Sequence, residues 1–283
     1  MKVLLTGANG QLGRELATLL PEIGHDLKAL SRAELDVSDF DAVAEAVETN
    51  APDLVVNAAA FTDVDGCETE LETAYAVNAL GPRNLAVCCE RRGCALLHVS
   101  TNYVFDGGSE RPYEPFDRPN PISAYGRTKL AGEAYVRDLS SHWYLVRTAG
   151  VYGEGRNFVR TMLRVGAERD VLNVKDDEYV SPTYARDLAA GIAGLVGSER
   201  YGIYHLTNAG ACSWYEFARE ILALAGADVE VLPVPSAEYP LPATRPANGV
   251  MSTLGSPGLR HWRQALEEYL EREGVLRGTA ARP

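Results

Sequence analysis

No stretch of this 283-residue chain is apolar for long enough to cross a bilayer. Its N-terminus, Met1-Lys2-Val3-Leu4-Leu5-Thr6-Gly7, has too short an apolar run for a secretory signal, so a cytoplasmic location is expected. Cysteine is scarce. Cys67, Cys88, Cys89, Cys94 and Cys212 are odd in number and contain no CxxC pair, which excludes a disulfide framework and a zinc ribbon and reads as reduced thiols. Histidine is as sparse: His25, His98, His142, His205 and His261 stand at no metal-ligand spacing. Asp63-Val64-Asp65-Gly66 begins like a calcium loop but lacks the remaining ligands, so it reads as a polar turn and no metal is expected. Positive charge is also short. The 27 Lys and Arg against 39 Asp and Glu leave a net charge of −12, which argues against a nucleic-acid binder while leaving room for an anionic small ligand at a locally positive site. Internal repeats and low-complexity linkers are absent.

What is present is an ordinary globular composition, 46% apolar and 23% charged. Apolar runs at Lys2 to Leu5, His25 to Leu30, Asp53 to Ala60, Ala95 to Ser100 and Trp143 to Arg147 predict strands. The third is continuous rather than alternating, as a parallel strand buried on both faces requires. Between them, helical spacing runs from Leu12 through Leu20, Asp39 to Asn50 (with Ser38 as the expected cap), Thr69 to Arg92 and Ala124 to Leu139. Repeated βα order predicts an α/β fold, a doubly wound parallel sheet with a smaller C-terminal lobe that binds substrate. The expected division is a dinucleotide-binding domain over 1–150 and a lobe over 151–283, with segments near 183–208 returning to the first. Gly107 to Pro121 reads as a loop, Val229 to Pro246 with its five prolines as an extended arm, and Leu259 to Glu273 as an amphipathic helix before a frayed end.

Thr6-Gly7-Ala8-Asn9-Gly10-Gln11-Leu12-Gly13 joins the first strand to the first helix with G-x-x-G-x-x-G spacing. Gly7 permits a tight turn, Gly10 close backbone approach to a pyrophosphate, and Gly13 close packing of helix on strand. The helix N-terminus offers free N–H groups and its positive dipole end. Gly7, Asn9, Gly10, Gln11 and Leu12 are therefore candidate cofactor contacts. A NAD-specific site usually has Asp or Glu after the second strand; here Ser31-Arg32 suits a 2′-phosphate better, so NADP(H) is favoured and NAD(H) stays open. Asp36-Val37 stands where a strand-end loop meets the adenine. Tyr125 and Lys129 are four apart on one predicted helix face, where an ammonium would lower the phenol from its ordinary value of about 10. Ser100 to Gly107 ends the fourth strand and offers the Thr101 hydroxyl on the same sheet edge, so that a hydroxyl and a phenol can hold one carbonyl oxygen while hydride reaches its carbon.

Together these blocks resemble the extended short-chain dehydrogenase/reductases, within them the branch that reduces nucleotide-linked 4-keto-deoxysugars. Further carriers are Asn57-Ala58-Ala59-Ala60, Leu130-Ala131-Gly132-Glu133, Arg147-Thr148, Asn157-Phe158, Ser181-Pro182-Thr183 and Thr244-Arg245-Pro246-Ala247-Asn248. The resemblance implies NAD(P)H-dependent reduction of dTDP-4-dehydro-6-deoxy-L-mannose to dTDP-L-rhamnose. It implies Thr101, Tyr125 and Lys129 as the catalytic triad, Tyr125 and Lys129 also meeting the cofactor along with Ala58 and Ala59. It implies Val64, Asn102, Tyr103 and Asn157 near the sugar, Arg245 and Asn248 facing the diphosphate, and a monomer or homodimer. The chain departs from the pattern in having Asn102 where the family has Asp, Gly150 where it has Trp against the sugar, and Arg186 where a metal-linked dimer would need a second ligand beside Glu15. The alternatives are another nucleotide 4-keto-deoxysugar, motivated by Gly150, and a non-catalytic NADP-binding subunit resembling methionine adenosyltransferase β.

Overall fold

The computed structural model describes residues 1–276; the terminal residues expected to fray lie outside the described residues. The first half follows β1 (Lys2–Thr6), α1 (Gln11–Glu22), β2 (Asp26–Leu30), α2 (Phe40–Asn50), β3 (Leu54–Asn57), α3 (Gly66–Thr69), α4 (Leu71–Tyr75), a π-turn over Ala76–Leu80, α5 (Gly81–Arg92), β4 (Ala95–Thr101), α6 (Ala124–Leu139) and β5 (Trp143–Thr148). Three local details differ from the sequence reading. Asp39, not Ser38, caps α2, its carboxylate accepting from the Asp41 and Ala42 N–H groups, while Ser38 turns back onto Asp36. The third strand ends at Asn57, and Ala58 and Ala60 beyond it line a cavity at the sheet's edge. The long helix expected over 69–92 breaks at Glu70 and again in the π-turn, which aims the Asn78 side chain at the Phe61 backbone, accepting from its N–H at 2.9 Å and donating to its carbonyl at 3.0 Å.

The second half contributes β6 (Val151–Tyr152), α7 (Phe158–Gly166), β7 (Val171–Lys175), β8 (Tyr179–Val180), β9 (Thr183–Tyr184), α8 (Ala185–Ala193), β10 (Gly202–His205), β11 (Cys212–Ser213), α9 (Trp214–Leu224), β12 (Glu230–Val234) and α10 (Trp262–Arg272). The main sheet has six parallel strands in the order β2-β1-β3-β4-β5-β10. The order reverses between β1 and β3, and ligands of open α/β sheets bind at such a switch point, beyond the strand C-termini. Both faces are covered: Leu12, Leu16 and Leu20 of α1 meet Leu188 and Ile192 of α8 on one side, and Val43, Val47, Leu85 and Val136 pack on the other. The remaining segments build an aromatic core of Tyr152, Tyr184, Phe217, Trp262 and Tyr269. Part of the expected arm is a strand, since β12 pairs with β7, and the rest crosses the sheet's C-terminal edge. Among the described residues no helix is long and apolar enough to cross a membrane.

Candidate active site

The turn after β1 is built by backbone proximity. Gly7 has φ +73°, and a Cβ placed on it would meet the Ala59 nitrogen at 2.6 Å; one on Gly13 would meet the Gly7 carbonyl oxygen at 2.2 Å. No larger residue fits either position without moving backbone. Gly10 precedes α1 without any side-chain cap, and no acidic side chain stands in the first turn, so the helix presents unpaired N–H groups to the space in front of it. Two adjoining cavities open there. The smaller, about 200 Å³, is lined by Gly7, Asn9, Gly10, Arg32, Asp36, Val37, Ala58 and Ala59. The larger, about 570 Å³, is lined on its loop side by Gln11 and Leu12 and on the sheet side by Thr101, Tyr125 and Lys129. Ser31 lines neither: its N–H and hydroxyl both donate to the Glu34 carboxylate, at 2.8 and 2.7 Å.

Tyr125 sits in the first turn of α6, whose cap is Ser123 accepting from the Gly126 N–H. Gly126 lets that turn lie against the chain after β4, since a Cβ there would strike the Tyr103 carbonyl oxygen at 2.1 Å. Tyr125 and Tyr103 meet edge to face at 5.4 Å. Burial raises the Tyr125 phenol above its ordinary pKa, and a hydrogen bond with Thr101 partly offsets this. The lysine expected to lower it points elsewhere. Lys129 Nζ donates to the Val99 carbonyl at 2.7 Å and lies 3.3 Å from His98 Nε2, both on β4, and burial pulls its own pKa down to about 8. In the protein alone, Tyr125 is therefore held as a neutral acid. Beneath the site, Glu133 of α6 accepts from Ser100 Oγ at 2.6 Å and from Arg147 at 2.9 and 2.7 Å, in full burial.

Residues 1–275 match a known family, the RmlD substrate binding domain. The chain belongs to it. A dTDP-4-dehydrorhamnose reductase of Streptomyces griseus is 44% identical, the match covering 99% of this chain and 95% of that one. A dTDP-4-keto-6-deoxy-D-glucose reductase of Streptomyces niveus is 41% identical over 94% and 95%. Among solved structures, the dTDP-4-dehydrorhamnose reductase of Bacillus anthracis in complex with NADP superposes with a TM-score of 0.93 at 38% identity, covering 96% of this chain and 99% of that one.

In this RmlD-family chain the remaining residues singled out from sequence fall into two groups. Val64, Asn102, Tyr103 and Asn157 line the larger cavity with the triad. Asn102 is also a link: it accepts from Thr101 Oγ1 at 3.2 Å and donates to the Gly249 carbonyl at 3.3 Å, the second bond needing the amide that an aspartate lacks. Asn157 caps α7 and donates to Gly153 O at 2.6 Å. Arg245 and Asn248 lie outside both cavity linings. Arg245 forms a two-point ion pair with Asp65, at 3.1 and 2.8 Å, and Asn248 donates to the Ser109 carbonyl at 2.7 Å, so both staple the arm over the sheet edge. Gly150 lines the cavity with φ +54°, and a Cβ there would touch Val180 at 3.1 Å; the position is shaped by backbone as well as by the missing aromatic. Sequence reasoning passed over Asn78, Gln11's side chain, Arg156 and His98, and took in Asn57 and Thr148 only within the blocks that carry the resemblance. Asn57 and His98 carried a signal, being polar residues inside otherwise apolar strands.

Proposed function

We propose that this chain uses NAD(P)H to reduce the C4 ketone of dTDP-4-dehydro-6-deoxy-L-mannose to dTDP-L-rhamnose. The observation that carries this reading is the Thr101–Tyr125 hydroxyl pair, with Lys129 one turn on, in a cavity that runs to the glycine loop. The residues fit a dinucleotide: the uncapped α1 N-terminus faces the space a pyrophosphate would take, and Gln11 Oε1 and Thr148 Oγ1 are buried on the cavity wall with no hydrogen-bond partner among the described residues. NADP(H) is the favoured form, because Arg32 lines the smaller cavity; the Glu34 carboxylate bonded to Ser31 keeps NAD(H) as the alternative.

When bound, the reduced nicotinamide supplies the hydride for C4. Tyr125 gives its phenolic proton to the C4 oxygen, and its upward-shifted pKa keeps that proton in place until charge develops there. Thr101 turns its hydroxyl hydrogen, which rests on Asn102 Oδ1 in the protein alone, to the same oxygen. Lys129 holds the nicotinamide ribose and, once charged, favours the phenolate that remains. Val64, Asn102, Tyr103 and Asn157 shape the sugar site. Arg245, beside Tyr103, is the cation for the diphosphate, using N–H groups that Asp65 leaves free, and Asn248 holds the arm that carries it.

The test is absorbance-followed oxidation of NADPH and NADH in parallel, with the keto-sugar generated in situ. Turnover that falls roughly 10²- to 10⁴-fold in Tyr125→Phe, with cofactor affinity kept, is expected. Turnover unaltered by that change refutes the roles assigned here. Gly150 motivates a second reading, an altered 4-keto-deoxysugar, chosen if the wild type turns over only such a substrate. Tight cofactor binding with no turnover on any of them would select the non-catalytic subunit.

A further inference from the structure

A row of buried polar side chains crosses the sheet to Lys129. Thr6, Asn57 and His98 are register partners on β1, β3 and β4, and each is fully buried, with Lys129 1% exposed. Thr6 Oγ1 donates to Asn57 Oδ1 at 2.7 Å, and the Ala59 N–H donates to the same oxygen at 3.1 Å. Asn57 Nδ2 lies 3.0 Å from His98 Nδ1, His98 Nε2 lies 3.3 Å from Lys129 Nζ, and Nζ donates to the Val99 carbonyl at 2.7 Å.

The direction of every bond follows from one end. A backbone N–H can only donate, so Asn57 must turn its oxygen to Ala59 and its NH2 to His98. An amide NH2 can only donate, so His98 Nδ1 must accept, and a neutral ring then carries its proton on Nε2. That N–H points at Lys129. An ammonium would set donor against donor in a dry, low-dielectric place, whereas an amine accepts from Nε2–H with its lone pair and still donates to Val99. We propose that His98, in the Nε2–H tautomer imposed by Asn57, is a positioning residue that selects the neutral form of Lys129 against β4 in the cofactor-free protein.

The proposal rests on the catalytic reading of Lys129 only for its consequence, not for its geometry. Burial disfavours imidazolium at His98, which keeps the ring neutral as the argument requires. Burial already brings Lys129 to about 8, and the facing donor takes it lower. Of the other groups around it, Tyr125 stands one turn earlier on α6 and keeps its proton. Glu133, one turn later, pulls the other way, but its carboxylate is committed to Arg147 of β5 and Ser100 of β4. Lys129 would then take up a proton from solvent when it turns to a bound ribose, so cofactor binding and lysine charging are one event.

The experiment needs no substrate. The chain has only Lys2, Lys28, Lys129 and Lys175, so lysine labelled with ¹³C at Cε resolves each titration by NMR, while ¹⁵N-histidine reports the His98 tautomer. The expected result is an Nε2–H ring with a Lys129 midpoint below about 8, moving up by one pH unit or more, a tenfold gain in proton affinity, in His98→Leu. Asn57→Asp turns an acceptor to Nδ1 and is expected to move the ring proton to Nδ1, an effect that packing alone does not produce. An Nδ1–H ring in the wild type, or an unmoved Lys129 midpoint in His98→Leu, overturns the proposal. Should His98→Leu fail to fold, the wild-type tautomer and the Asn57→Asp switch decide. Failure of the turnover assay with these NMR results intact would instead refute the proposed reaction.

Discussion

Replacing Arg147 by Met leaves the Glu133 carboxylate without its cation. The two side chains are 2% and 1% exposed and joined at 2.9 and 2.7 Å, with Ser100 as the only other hydrogen-bond donor to that carboxylate among the described residues. Removing one member of a buried pair costs about 3–5 kcal/mol, because the partner is left desolvated and uncompensated. For a chain of this length that corresponds to a melting temperature lower by roughly 10 °C. Arg147→Met with Glu133→Leu removes both charges and should recover most of the loss. Denaturant unfolding of wild type, both single variants and the double variant measures all of this. A single-variant cost below about 1 kcal/mol, or a double variant worse than Arg147→Met, refutes the reasoning.

Gly13→Ala should weaken NADPH binding roughly tenfold or more, since its Cβ would meet the Gly7 carbonyl oxygen at 2.2 Å and force the phosphate-facing turn to shift; a fluorescence titration with an unchanged Kd would contradict this. His205, buried and facing Arg147, has its folded pKa lowered to about 4, against about 6.5 unfolded, so the unfolded state binds the extra proton between those values. Stability should fall by about 2 kcal/mol from this group as pH drops from 7 to 5, and a His205→Gln variant with the same acid slope would remove His205 as the cause.

The parts legible in the sequence are those set by short-range chemistry. β3 is a continuous apolar run up to Asn57 because a parallel strand is buried on both faces, and the Gly7–Gly13 turn is readable because its requirement is backbone proximity, which only glycine meets. What was not legible depends on partners far along the chain. The break near Glu70 and the π-turn bring Asn78 to the Phe61 backbone, and local spacing contains no trace of that contact. Arg245 looks like a free cation in an arm of prolines until Asp65 is found against it.

Tyr125 and Lys129 show where the boundary lies within a single motif. Their four-residue spacing correctly puts both on the cavity side of α6, but it says nothing of where the lysine's proton is directed. That is decided on β4, by the Val99 carbonyl and His98, and at one remove by Asn57 on β3. Spacing along a helix brings the phenol and the amine to one cavity; where the amine's hydrogen bonds run is set by the sheet beneath them. Substitutions at His98 or Asn57, which are not themselves in the larger cavity's lining, should therefore reach the chemistry through Lys129.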